Sequence, residues 1–341
     1  MIHILYIECK KEKSVAMAIG YLLVQVRTAQ DAVPLEGVHV RILGEQGEIL
    51  YHLMTDESGE TQKVPLETLD KGFSQNPWYA GLPYKSYNVL AQGEGFNTLY
   101  VSHIPIYEGE TAVLPMELVP MEARQRRPGE TKIFIGKPAV AMQEPRTQEG
   151  NGGTEAGSNT ASGESRIPET GRRQEPGAGQ GEGAMQAIGN GPGNVSTPEA
   201  GTDGGRILRQ VVIPNPITVH LGAPGSSASN VQVSFPDYVK NVASSEIYPT
   251  WPDASLRANI YAIITFALNR VFTEWYRSRG YDYDITSSTA YDQNFVYGRP
   301  VYDSVSRVVD EIFNEYVRRQ GQNAPYFTSF CNGTTVTCRG M

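Results

Sequence analysis

The sequence predicts a multidomain chain: an N-terminal all-β sandwich, a disordered linker and a C-terminal α+β domain. Three observations predict it. From Gly20 to about Pro120, apolar residues alternate with period two. Between Phe134 and Phe235 there is no Phe, Tyr or Trp. Beyond Arg206 apolar residues return, now largely at helical spacing. A length of 341 residues exceeds what one compact core usually takes. The divisions are 17–121 for the sandwich, 122–205 for the linker and 206–341 for the second domain.

Residues 1–16 run from an apolar stretch into lysines, the reverse of a secretory signal. They read as a non-native extension, with Met17 as the start. In the sandwich, Leu22, Val24 and Val26 alternate with Leu23, Gln25 and Arg27. Val38, Val40 and Ile42 alternate with His39, Arg41 and Leu43. Period two places one face of a strand on a core. Gly44, Gly47, Asp56–Gly59, Gly93 and Gly95 supply the turns. Short strands at this spacing predict a small antiparallel sandwich. His39, His52 and His103 lie in strand-like runs without assignable partners and read as structural.

The linker is dominated by Gly, Pro, Ser, Thr, Glu and Gln. Such a stretch buries too little apolar surface to offset the entropy of ordering it. Ile133-Phe134-Ile135 is an apolar patch able to dock on the sandwich. Further on, VVIPNPITVHLG and NVQVSF read as strands. Pro236 suits a first helical turn, and a helix is predicted over Asp237 to Ser245. A long helix follows Trp251-Pro252, carrying Leu256, Ile260, Ile263, Ile264, Leu268 and Val271 and ending at Gly280. Another carries Val305, Val308, Val309, Ile312 and Tyr316 and ends at Gly321. These stripes are core packing and imply no cofactor.

A net charge of −8 excludes a phosphate-backbone binder built on clustered Lys and Arg. No apolar run reaches the roughly 20 residues needed to span a bilayer. Three cysteines, Cys9, Cys331 and Cys338, are too few for a disulfide scaffold. Cys331 and Cys338 either pair or stay free thiols.

The run Pro34-Leu35-Glu36-Gly37-Val38, then Thr55-Asp56-Glu57-Ser58-Gly59, Tyr87-Asn88-Val89 and Gly93-Glu94-Gly95-Phe96, resembles the carboxypeptidase regulatory-like (transthyretin-like) domain. That resemblance implies an accessory module without catalytic residues.

The stretch from Tyr238 to Pro252 holds a helix that ends near Glu246, then a bend imposed by Pro249 and Pro252. A carboxylate there, beside Tyr248 and Trp251, sits in a partly apolar cleft, and desolvation raises its pKa as a general acid requires. The bland alternative is a solvated helix-end carboxylate. Together with Asp284-Ile285-Thr286, Gln293, Tyr297-Gly298, Phe327-Thr328-Ser329 and Gly333-Thr334, this stretch resembles the stage II sporulation protein D and amidase enhancer family. The resemblance implies peptidoglycan glycan strands as substrate. It implies Glu246 as the general acid and base of a lytic transglycosylase, with Tyr248, Trp251, Gln293 and Tyr297 in contact with sugar. The family's cysteine–histidine cluster is replaced by DITSSTAYDQ, so no metal is expected. Ile264-Thr265-Phe266-Ala267 lacks an arginine the family carries. The family pattern continues past Gly340-Met341, so the domain reads as incomplete. The competing reading is a non-catalytic peptidoglycan-binding or amidase-recruiting scaffold. By resemblance the location is the cell wall or spore cortex, otherwise the cytoplasm.

Overall fold

The computed structural model describes residues 17–29, 31–123, 125, 127–142, 186–187 and 207–328. Cys9, Cys331, Cys338, Ser329, Gly333, Thr334, the first 16 residues and most of the expected linker lie outside them.

The N-terminal strands are β1 (Met17–Thr28), β2 (Val33–Pro34), β3 (His39–Leu43), β4 (Ile49–Met54) and β5 (Val64–Leu69). After the one-turn α1 (Gly72–Gln75) come β6 (Lys85–Gln92), β7 (Thr98–Ile106), β8 (Thr111–Glu117) and β9 (Glu130–Phe134). They form two sheets. One places β1 between β5 and β8 with β2 at its end, and the other runs β4-β3-β6-β7-β9. Alternate residues such as Leu22, Val24, Val26, Val40, Ile42, Val89 and Val101 are buried between them, as period two requires. The sandwich is mixed, not purely antiparallel. β8 lies parallel to β1, and β9 parallel to β7. β9 falls in the stretch expected to be linker, so the apolar patch there docks as an edge strand, with Ile135 buried behind it.

The quoted turn motifs have local causes. Thr55 Oγ1 accepts from Val38 N at 2.9 Å and donates to Leu35 O at 2.6 Å. Asp56 Oδ1 accepts from Ser58 N and Glu60 N at 2.9 and 3.0 Å, closing a turn that needs Gly59 at φ +75°. His39 and His52 face each other across β3 and β4 at 5.4 Å, and His103 packs on Phe134.

The C-terminal region is α+β. A two-residue strand β10 (Gln186–Ala187) precedes β11 (Ile217–His220), β12 (Asn230–Val233), α2 (Phe235–Glu246) and α3 (Asp253–Phe272). Then come β13 (Ile285–Thr286), β14 (Val301–Tyr302), α4 (Asp303–Ile312) and β15 (Val317–Arg318), which pairs with β10. β12, β11 and β13 make a small sheet. The strand read from Val211 begins only at Ile217, because Pro214 and Pro216 lack the N–H a ladder needs. The last two helices, α3 and α4, stop sooner than the apolar spacing suggests. α3 gives way at Thr273, whose hydroxyl bonds back to Asn269 O at 2.8 Å, and Glu274 turns to φ +45°. Gly280, at φ +86°, ends a separate short turn. After Phe313 the chain leaves α4 and becomes extended at β15.

The two regions share structure. β14 adds an antiparallel strand to the N-terminal sheet, with Val301 opposite Val113 and Tyr302 opposite Ala112. Tyr302 is buried and donates to Pro105 O at 3.0 Å. Ser74 and Thr250 hydroxyls bond at 2.6 Å, and Trp251 Nε1 donates to Ser74 O at 2.9 Å. Gly20 fits this tight region because a Cβ there would lie 2.2 Å from Tyr107 O. Among the described residues no helix is long and apolar enough to cross a membrane.

Candidate functional site around Glu246

The site is built on the end of α2. Ser234 caps the helix, its hydroxyl accepting from Asp237 N at 3.2 Å, and Pro236 occupies the first turn. Tyr238, Val239, Val242 and Ala243 bury the inner face. Ile247 N bonds to Ala243 O at 3.0 Å, after which the backbone is extended and the Pro249 bend begins. Glu246 is therefore the last helical residue.

The facing wall is the loop Gln293 to Val296, tied to α2 by paired amides. Asn241 Nδ2 donates to Val296 O at 2.8 Å while Val296 N donates to Asn241 Oδ1 at 2.9 Å. Asn294 Nδ2 donates to Ser245 O at 3.2 Å, and Asn294 N donates to Glu246 Oε1 at 3.0 Å. Phe295 stacks on Tyr238 with centroids 5.6 Å apart.

Glu246 Oε2 is buried without a hydrogen-bond partner, as are the hydroxyls of Ser244 and Ser245. The residue keeps a partly exposed edge while its carboxyl end is enclosed. Burial pushes this carboxyl up from 4.5 to about 7, and the Asn294 N–H offsets only part of that. The group can hold a proton near neutrality and release it.

The four expected sugar contacts lie in different settings. Gln293 adjoins the site but is buried, accepting from Tyr238 OH at 3.0 Å and donating to Ile263 O at 3.2 Å. Tyr248 is buried against Tyr107 and Trp251, at 6.0 and 5.9 Å. Trp251 spends its N–H on Ser74 O. Tyr297 OH donates to Glu117 Oε2 at 2.5 Å, across the junction with the N-terminal sheet. The structure thus brings Gln293 close to Glu246 and turns Tyr248, Trp251 and Tyr297 toward the junction.

Two residues missed in the sequence shape the site. Asn294 holds Glu246. Asp292 accepts from Arg270 Nε at 2.8 Å, Tyr276 OH at 2.6 Å, Thr286 N at 2.9 Å and Thr286 Oγ1 at 2.7 Å. That fully buried hub anchors the loop one residue before Gln293. The only sequence signal was the polar run Asp292-Gln293-Asn294 between apolar segments.

A cleft of about 320 Å³ opens at the junction between Trp251, Lys71, Glu108, Glu110, Asp253 and Arg307. A larger one, of about 630 Å³, lies on the sandwich beside Glu45, Tyr51, Glu67 and Lys85. Neither is lined by Glu246, so the carboxyl's chemistry and these two openings do not coincide. Glu246's enclosed carboxyl is the stronger guide, because burial brings its proton affinity to about 7, where an acid can both give and take a proton. Among the described residues no three His, Cys, Asp or Glu side chains are placed to hold a metal ion.

No protein-family model matches the chain, and no curated protein matches it. Among solved structures, the Klebsiella pneumoniae 5-hydroxyisourate hydrolase is 21% identical over 30% of this chain and 92% of its own, at a TM-score of 0.21. The minor pilin of Streptococcus agalactiae is 17% identical over 32% of this chain and 49% of its own, also at 0.21. The Bacillus anthracis TIE protein is 17% identical over 30% of this chain and 17% of its own, again at 0.21. The chain spans less than half the length of these last two proteins. The hydrolase and the minor pilin are transthyretin-like and pilin-like β-sandwich domains. The description of the N-terminal fold rests on its own strand pairing. The resemblance to the stage II sporulation protein D family rests on the quoted residues alone.

Proposed function

We propose that the C-terminal region is a lytic transglycosylase of the stage II sporulation protein D type, acting on peptidoglycan glycan strands with Glu246 as its acid and base. The observation that carries this reading is the enclosed Glu246 carboxyl, with one oxygen on Asn294 N and the other without a partner. A single carboxyl suffices for the reaction. Protonated Glu246 gives its proton to the glycosidic oxygen as the C1–O bond breaks and the bonding pair leaves with that oxygen. The carboxylate then takes the proton of the same sugar's 6-hydroxyl, whose oxygen bonds to C1. The product carries a 1,6-anhydro ring, and no water is consumed. An ordinary glycosidase needs a second carboxyl about 5–10 Å away, and Asp292, the acid that anchors the facing loop, is occupied by Arg270.

A second reading is a peptidoglycan-binding or amidase-recruiting scaffold that does not cut. It is favoured by the internal partners of Gln293, Trp251 and Tyr297, which leave fewer groups for sugar. Digestion of denuded glycan strands by the full chain, read by mass spectrometry, separates the two. Anhydro-terminated fragments that fall at least about a hundredfold with Glu246→Gln are expected. Intact strands that co-sediment equally with both proteins would establish the scaffold instead.

A further inference from the structure

Arg299 is 1% exposed and has no carboxylate partner among the described residues. Its Nη1 donates to Ser244 O at 3.3 Å and its Nη2 to Gly136 O, both neutral carbonyls. Its Nε is buried without a partner. A buried cation left uncompensated is strongly destabilising, which is why such groups are almost always paired. The neighbours within electrostatic reach are the phenols of Tyr84, Tyr107 and Tyr302. Burial raises all three above the usual tyrosine range, so none supplies negative charge. Tyr107 lies at 5.2 Å from both Tyr84 and Tyr302, ring to ring, and at 6.0 Å from Tyr248. Its hydroxyl is also buried without a partner, as is that of Ser244.

The unsatisfied groups around Arg299 are thus a guanidinium N–H and two hydroxyls free to donate. A water would satisfy donors but leave the charge. A small anion satisfies both. We propose that Arg299, with the hydroxyls of Tyr107 and Ser244, forms a buried site for a small monovalent anion of the halide class. The site draws Gly136, Tyr84 and Tyr107 from the N-terminal region and Ser244, Arg299 and Tyr302 from the C-terminal one. The bound anion therefore fastens the junction, independently of any reaction at Glu246.

Chloride is the probe, exchanged for gluconate at constant ionic strength so that general screening is unchanged. Thermal unfolding of the full chain is expected to shift upward by about 5 °C between no chloride and a hundredfold excess over its dissociation constant. Tyr107→Phe, which removes one donor and keeps the ring, is expected to move that curve to about tenfold higher chloride. Arg299→Met is expected to abolish it. Should Arg299→Met fail to fold, a bromide-soaked crystal of the unaltered protein decides the matter. An anomalous peak within hydrogen-bond distance of Arg299 Nε supports the site. A midpoint indifferent to chloride, or a soaked crystal without that peak, overturns it.

Discussion

Glu246 has two oxygens in two different situations, and its stability and its chemistry both follow from that. Oε1 holds the Asn294 N–H, whereas Oε2 is enclosed with nothing to hold. The folded state therefore binds a proton more tightly than the unfolded one, at about 7 against 4.5. Below about pH 4.5 both states are protonated and the carboxyl costs nothing. As pH rises from 4.5 to 7 the unfolded chain releases its proton to water while the buried carboxyl keeps its own, so stability is lost across that window, the full loss being reached above about 7. The difference of pKa corresponds to about 3 kcal/mol. Glu246→Gln removes that term. The variant is expected to match the parent in urea unfolding at pH 4.5 and to exceed it by up to about 3 kcal/mol at pH 8. Equal stability at both pH values would mean that the carboxyl is solvated. If Glu246 acts as the acid, cleavage also falls as pH rises past about 7, since the proton it donates is then lost.

At the scale of elements, the helix that carries Glu246 was legible while the loop that holds it was not. Ser234, Pro236 and the apolar spacing announce α2, and the structure extends the expected helix by two residues at its start and one at its end. Its cap is worth about 1 kcal/mol, so Ser234→Ala is expected to lower urea stability by that amount. Asp292 gave no comparable signal. Its partners Arg270, Tyr276 and Thr286 come from α3, the turn after it and β13, and sequence spacing records none of those contacts. Asp292→Asn keeps the shape and removes the charge facing buried Arg270. Leaving a buried guanidinium without its anion costs about 3–5 kcal/mol. Urea unfolding monitored by circular dichroism is expected to show a loss of that size. A loss under about 1 kcal/mol would demote the hub to an ordinary turn. The loop is also what positions Asn294, so any cleavage activity is expected to fall with it under conditions where the variant remains folded.

The scale of the whole molecule is where the sequence said least. Composition separated two folded regions from the stretch between them, but nothing in a two-residue strand predicts that Val301 and Tyr302 will join a sheet whose nearest strand in sequence lies nearly 200 residues earlier. Period-two and helical patterns report which face of an element is apolar. They do not report which region covers it, and Tyr107, Tyr248 and Tyr302 read equally well as the core of either. Because the junction is buried and hydrogen-bonded, the two regions are expected to unfold together. Tyr302 tests this best. Its ring is 1% exposed, its hydroxyl bonds across the junction and its backbone pairs with β8. Tyr302→Phe removes only the bond to Pro105 O and is expected to cost about 1 kcal/mol. Tyr302→Ala also opens a cavity and is expected to cost about 3–5 kcal/mol. In both variants far-ultraviolet dichroism, which follows the helices, and tryptophan fluorescence, to which Trp251 at the junction contributes, should move as one transition. If Tyr302→Ala instead splits unfolding into two steps, with the N-terminal sheet melting at its original midpoint, the regions fold independently and the junction is only a docking contact.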